Sequence, residues 1–229
     1  MFYSEKVSVE EKLLSFDSKI CRNIEKASSK EWLLTNGLGG FSSATITGAN
    51  TRKYHGLLIS PMNPPWDRML FLSKLEEEVI VEGEKYNLST NYYPELVHPE
   101  GYKYLEMFSL NPLPTFRYRL PGLLLTKKVF MPYEKNAVIV NYRAFTEPGT
   151  NAEITIRPLV NSREIDGITK ETDLTGEVQQ NKDGRMVSVS FSETESSVYL
   201  GSDRMEYNES DLSGIERWYR DMLYPRERE

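Results

Sequence analysis

Apolar and polar residues alternate with a period of two along most of the chain. In Asn136–Phe145, Val138, Val140, Tyr142 and Ala144 share one face and Asn141 and Arg143 the other. Arg185–Phe191 sets Val187, Val189 and Phe191 against Ser188 and Ser190, and Thr115–Leu120 sets Phe116, Tyr118 and Leu120 against Arg117 and Arg119. Asn151–Pro158 alternates Ile154 and Ile156 with Glu153, Thr155 and Arg157. Successive strand residues point to opposite faces, so each segment predicts a half-buried strand. Turn chemistry separates them. Glu82-Gly83-Glu84 lies between Val79–Val81 and Lys85–Leu88, Pro121-Gly122 and Glu147-Pro148-Gly149 follow further strands, and Asn181-Lys182-Asp183-Gly184 predicts another reversal. Strands recurring at short intervals predict an all-β, antiparallel β-sandwich. Short helices are expected near Ser4–Leu14 and Ser213–Leu223. No long stretch carries a helical period.

The 229 residues suit one large β domain with a real core. The apolar runs are far shorter than a membrane helix needs, and the amino terminus lacks the basic and apolar regions of a signal peptide. A cytoplasmic protein without a membrane partner is therefore expected. The net charge of −6 and the absence of a Lys/Arg block argue against nucleic acid, whose phosphates would be repelled. One cysteine excludes an internal disulfide and a thiolate-rich zinc site, and His55 and His98 have no metal-ligand spacing; neither metal nor cofactor is expected.

The chemistry concentrates in Glu31–Ser60, EWLLTNGLGGFSSATITGANTRKYHGLLIS. Gly37, Gly39 and Gly40 fall within four positions, but Ser42 stands where a dinucleotide fingerprint needs its third glycine, and no long helix pattern follows. Two readings stay open: a bulged turn between strands, or a loop that lets a ligand approach the backbone. Around it lie Trp32, Asn36, Arg52, Tyr54 and His55. Aromatic rings meet the C–H faces of sugars, and planar polar groups meet their hydroxyls. The mixture suits a carbohydrate and equally a buried polar cluster. Trp32 and Tyr54 read as core, Arg52 and Arg68 as surface ion-pair partners, and His55 as an interior histidine or a contact. Among the acids, Glu31, Asp67, Glu164 and Asp166 are candidates for a catalytic pair. Glu164 and Asp166, two apart on a strand, would share a face and repel, although two solvated loop acids are the plainer reading.

Glu31-Trp32, Asn36-Gly37-Leu38-Gly39-Gly40-Phe41 and Thr51-Arg52-Lys53-Tyr54-His55-Gly56-Leu57-Leu58 resemble, in order and spacing, the signature of the amino-terminal domain of bacterial and archaeal glycogen debranching enzymes. The likeness continues through Pro64-Pro65, Arg68, Ser73–Glu77, Tyr86-Asn87-Leu88, Phe108, Pro112 and Pro114 to Pro158-Leu159, and then thins. Where the family shows an Arg-Asp-Tyr-His-like stretch, this chain has Arg163-Glu164-Ile165-Asp166, without the aromatic and the histidine.

The resemblance implies that residues 1–229 form a single supersandwich-like domain preceding an (α/α)6 catalytic barrel that this chain does not reach. Removal of α-1,6 branches, with glucosidase and glucanotransferase activity, would belong to the whole enzyme, and its paired carboxylates to the barrel. This chain would supply no catalytic residue. It would contact an α-glucan such as glycogen or a maltooligosaccharide, or the barrel itself, through Trp32, Asn36, Gly37, Gly39, Gly40, Arg52, Tyr54, His55, Gly56, Arg68 and Arg163. A purely structural docking domain and a stand-alone carbohydrate-binding module are the alternatives. Trp218, Tyr219 and Tyr224 ask for burial before Arg226-Glu227-Arg228-Glu229, which reads as a chain cut near a boundary or as a solvated tail.

Overall fold

The computed structural model describes residues 14–168, 178–183, 185–204, 206 and 221–227. The elements are β1 (Leu14–Phe16), α1 (Ser18–Cys21), α2 (Ile24–Ser28), β2 (Glu31–Thr35), β3 (Phe41–Thr45), β4 (Gly56–Asn63), β5 (Trp66–Val81), β6 (Glu84–Asn87), β7 (Thr90–Tyr92), β8 (Val97–Glu100), β9 (Leu105–Leu110), β10 (Pro114–Leu120), β11 (Leu123–Phe130), β12 (Ile139–Thr146), β13 (Ala152–Glu164), β14 (Val178–Asp183), β15 (Met186–Phe191) and β16 (Ser196–Gly201). Two antiparallel sheets form the sandwich. One runs β1-β9-β10-β11-β12 and the other β13-β5-β4-β3-β2, with β6 also on β5. A three-stranded sheet, β14-β15-β16, and a two-stranded one, β7-β8, complete the described strands.

The predicted alternation sets the packing. On β10, Phe116, Tyr118 and Leu120 are buried, while Arg117 and Arg119 turn outward to pair with Glu106. Opposite them lie Trp32, Ala44, Leu57, Leu72 and Val79 of the second sheet. Trp32 meets Phe116 edge-on with ring centroids 6.2 Å apart, a geometry the ring quadrupoles favour. Its indole N–H donates to the Thr45 carbonyl at 3.2 Å. In β15, Val187 and Val189 are buried as expected. The turn Glu82-Gly83 closes β5 on β6 with both residues at positive φ, the primed geometry that matches strand twist.

Two local expectations are corrected. The strand starting at Ala152 does not stop at Pro158 but runs to Glu164. Among the described strands it is an edge strand, where a proline is tolerated. The reversal expected over residues 181–184 falls later, because β14 continues to Asp183, which pairs with Met186. The helices expected near Ser4–Leu14 and Ser213–Leu223 fall on residues 4–13 and 213–220, which lie outside the described residues; of the remainder, Leu14 opens β1 and residues 222–223 are irregular. Among the described residues, α-helices stand at Ser18–Cys21 and Ile24–Ser28, where Asp17 and Asn23 cap free backbone N–H groups. Among the described residues no helix is long and apolar enough to cross a membrane.

β5 is the spine of the fold. Its 16 residues pair with β4, β13 and β6. It also carries charge into the interior. Glu77 is 4% exposed, and its Oε1 accepts from Lys127 Nζ on β11 at 2.5 Å and from Tyr142 Oη on β12 at 2.6 Å. Beside it, Lys74 Nζ donates to Asn91 Oδ1 at 2.6 Å and to the Thr90 carbonyl at 3.0 Å, and pairs with Glu76 at 3.2 Å. Burial alone would raise the Glu76 pKa, but Lys74 and hydrogen bonds from Asn91, Lys74 and Ser89 outweigh it and hold the carboxyl below its ordinary value. A cavity of about 20 Å³ lined by Lys74, Glu77, Ser89 and Lys127 has room for roughly one water.

Removing one partner of a buried ion pair strands the other charge, at a cost of about 3–5 kcal/mol, whereas an apolar replacement of the whole set is far milder. Lys127→Met is therefore expected to lower urea-unfolding stability by about that amount, and Lys127→Met combined with Glu77→Leu and Tyr142→Phe to recover most of it. Equal loss in the single and triple variants would exclude the stranded charge as the cause.

Candidate functional site

The residues singled out in the sequence fold into two loops at opposite ends of β3. The first joins β2 to β3. Asn36 is fully buried and holds it together: its Oδ1 accepts from the backbone N–H of Leu38 and of Gly40, both at 2.9 Å. Its Nδ2 donates to the Lys135 carbonyl and to Asn136 Oδ1, both at 3.0 Å, and its carbonyl accepts from Glu134 N at 2.7 Å. Every polar atom of that side chain is engaged within the chain. Gly37 (φ 81°) and Gly39 (φ 98°) adopt the left-handed backbone that side chains resist. At Gly40 the obstacle is space, since a methyl group would sit 2.7 Å from Asn36 Nδ2 and 2.9 Å from the Ile59 carbonyl oxygen. The loop is held by bonds within the chain, and Arg68, exposed on β5, ties it down by donating from Nε to the Gly39 carbonyl at 2.8 Å.

The second loop joins β3 to β4 and contains Thr51–His55. His55 is 2% exposed. Its Nδ1 accepts from Thr51 N at 3.0 Å, so the neutral ring carries its proton on Nε2. That nitrogen has no hydrogen-bond partner; Glu31 Oε1 lies 3.8 Å away, beyond hydrogen-bond reach. Burial pushes the His55 pKa down to about 4, more strongly than the Glu31 charge pulls it up, with Arg52 and Arg226 adding to the depression. The ring is neutral at neutral pH and forms no ion pair there. Arg52 holds the same Glu31 oxygen at 3.0 Å from the surface. At Gly56 a methyl group would fall 2.2 Å from Leu70 Cδ1, so any side chain there would force the buried Leu70 to move.

Two distant segments close over this loop. Arg163, buried at the end of β13, donates from Nη1 to the carbonyls of Glu164, Ile165 and Gly167 and from Nη2 to the Lys53 carbonyl at 2.8 Å. Residues 221–227 arrive from the other side: Arg226 N donates to the Thr51 carbonyl at 3.0 Å, Lys53 N to Glu227 Oε1 at 3.2 Å, and Leu223 N to the Tyr92 carbonyl at 2.8 Å. Tyr224 lies against Arg163.

Arg52, Tyr54, His55, Gly56 and Arg163 are thus gathered at one end of β3, and Asn36, Gly37, Gly39, Gly40 and Arg68 at the other. Trp32 is core, as expected. Tyr54 is not: 38% of it is exposed, and its hydroxyl donates to Asp166 Oδ1 at 2.9 Å. Glu164 ends β13 while Asp166 lies in the following turn, so the two acids do not share a strand face. Among the described residues no three His, Cys, Asp or Glu side chains cluster as metal ligands would. Sequence reasoning passed over Trp66 and Tyr133, which border the glycine loop. The Pro64-Pro65 turn was a signal for the first. The second comes from a remote loop with no local signature.

Below pH 6.5 the unfolded chain takes up a proton at residue 55 that the folded chain refuses until about pH 4. The folded pKa is the lower one, so this contribution is complete above pH 6.5 and is lost as pH falls toward 4. It is worth roughly 3 kcal/mol across the interval. His55→Asn keeps an acceptor near Nδ1 and removes the ionisation. Urea midpoints measured from pH 7 to 4 are expected to fall less steeply in the variant than in the parent; identical slopes would show that His55 is not the group responsible.

No curated protein and no solved structure gives a match to the chain. The family described as glycogen debranching enzyme N terminal matches residues 30–229. That span contains both loops, the β5 spine and the arriving segment 221–227, and it makes the chain a member of the glycogen debranching enzyme N-terminal family.

Proposed function

We propose that this chain is the substrate-positioning, non-catalytic part of a debranching enzyme that acts on glycogen-like α-glucans in the cytoplasm. Hydrolysis at an α-1,6 branch needs two carboxyl groups across the scissile bond, and in this reading an (α/α)6 barrel supplies them. The domain holds part of the glucan chain at the cleft, where orientation lowers the barrier without a chemical step of its own. The observation that carries the reading is how the buried polar groups are used. Asn36, His55 and Arg163 make their hydrogen bonds within the chain, chiefly with its backbone, and Arg52, Tyr54 and Arg68 stand at the surface of these firmly held loops. A guanidinium and a phenol so fixed match adjacent sugar hydroxyls and a C–H face.

The docking alternative has its own support. An open cleft of about 2370 Å³ is lined by Val138 just before β12, by Val140 and Tyr142 on β12 and by Ile154 and Ile156 of β13, and Ile139 and Phe145 on β12 are exposed. Exposed apolar area of that kind suits a protein surface.

The two readings part in calorimetric titration with a branched maltooligosaccharide, with glucose assayed in the same samples. The expected result is saturable binding without glucose release, weakened about tenfold in an Arg52→Ala, Tyr54→Ala double variant. Glucose release would overturn the non-catalytic assignment, and absence of binding would favour docking.

A further inference from the structure

Two rings beside the glycine loop stand in solvent. Trp66 is 71% exposed and Tyr133 76%, the largest values among the described large hydrophobic side chains. Neither position is accidental to the backbone. Tyr133 lies over Gly37 so closely that a methyl group there would sit 2.6 Å from the ring's Cε2, and the neighbouring Glu134 N–H is bonded to the Asn36 carbonyl. Trp66 starts β5 directly after Pro65, which packs on Gly39 with 2.9 Å to the place a Cβ would take. Its hairpin is pinned by the Asn63–Trp66 pairing, by Asn63 Nδ2 donating to Asp67 Oδ2 at 2.7 Å, and by the bond from Arg68 to Gly39. The backbone that carries both rings is therefore ordered while their faces remain uncovered.

An exposed indole or phenol face forgoes the free energy that burial returns and contributes little to the core. Its surroundings indicate what covers it. Between Gly37, under Tyr133, and Gly39, against Pro65, the loop carries one side chain, the half-buried Leu38, and Asp67, Arg68 and Glu134 are the chain neighbours of the two rings, charges that break up the apolar area. A contiguous protein-docking patch would be more uniformly apolar at its centre. A pyranose presents what this surface lacks: flat C–H faces for the rings and a rim of hydroxyls for carboxylate and guanidinium groups.

We infer that Trp66 and Tyr133, set on either side of the Gly37–Gly40 loop, form an aromatic subsite that binds the glucose units of an α-glucan, with Asp67 and Arg68 meeting their hydroxyls. The inference rests on the glucan-positioning reading and names surface residues distinct from Arg52 and Tyr54.

The test is calorimetric titration of the full chain with maltoheptaose, for the parent, Trp66→Ala, Tyr133→Ala and Tyr133→Phe, with thermal melts as the folding control. Trp66 is exposed, so its removal leaves the core intact and keeps the test valid even if Tyr133→Ala loosens the glycine loop. The expected result is about a tenfold loss of affinity in Trp66→Ala and Tyr133→Ala, with Tyr133→Phe, which keeps the ring, close to the parent. Parent-like binding in both alanine variants would overturn the subsite, assign the rings to a protein surface, and leave glucan positioning to Arg52 and Tyr54. Failure of the parent chain to bind would overturn the subsite and the positioning reading together.

Discussion

The Glu77 carboxylate is the contact on which the sandwich turns. It stands on β5 in one sheet and accepts from Lys127 and Tyr142 on two adjacent strands of the other. Apolar packing is tolerant of sliding, because one aliphatic contact replaces another at similar cost. A buried carboxylate is not, since any displacement leaves a charge without its donors in a medium that solvates it poorly. The alignment of the sheets follows from that demand, and with it the edge-on contact of Trp32 with Phe116. Burial and the Glu77 charge also push the Tyr142 hydroxyl pKa well above its ordinary value, which keeps it a donor.

From that spine the two ends of β3 inherit their form. Both loops are built on the same plan: a buried planar polar side chain receives backbone N–H groups and fixes the path of the chain, Asn36 in one and His55 in the other. Within the span that the family matches, Gly40 and Gly56 shape these loops by leaving room and Asn36 and His55 by filling it. What faces outward is a smaller set, and it determines what the surface can hold.

Much of this was legible in the chain itself, for reasons that differ by element. The strands around Phe116 and Val187 were readable because one face is buried and the other wet. β5 was not readable as a single strand, because Lys74, Glu76 and Glu77 interrupt its apolar pattern and their partners, Asn91, Lys127 and Tyr142, lie far along the sequence. Tyr54 reads as core by composition alone; its exposure depends on Asp166, brought near by the Arg163 clamp. Trp66 carries no local mark of exposure, since an indole at the start of a strand is more often covered. Local pattern reports which face a residue takes within its own element, whereas the site is assembled from elements that pattern does not connect.

The hydrogen bond from Lys53 to Glu227 joins residues 174 positions apart, and the one from Arg226 to Ser28 joins residues 198 apart. Contacts of that separation are the slowest for a chain to find, because a long loop must close before they return anything. The hairpins β2-β3, β4-β5 and β10-β11 need only neighbouring residues and can form as the polypeptide emerges. The contacts that complete the Thr51–His55 loop therefore carry a far larger closure cost than those of the hairpins beside it. A lesion in residues 221–227 would leave a folded sandwich with an unfinished loop, so a defect near one end of the chain would surface as a change near the other.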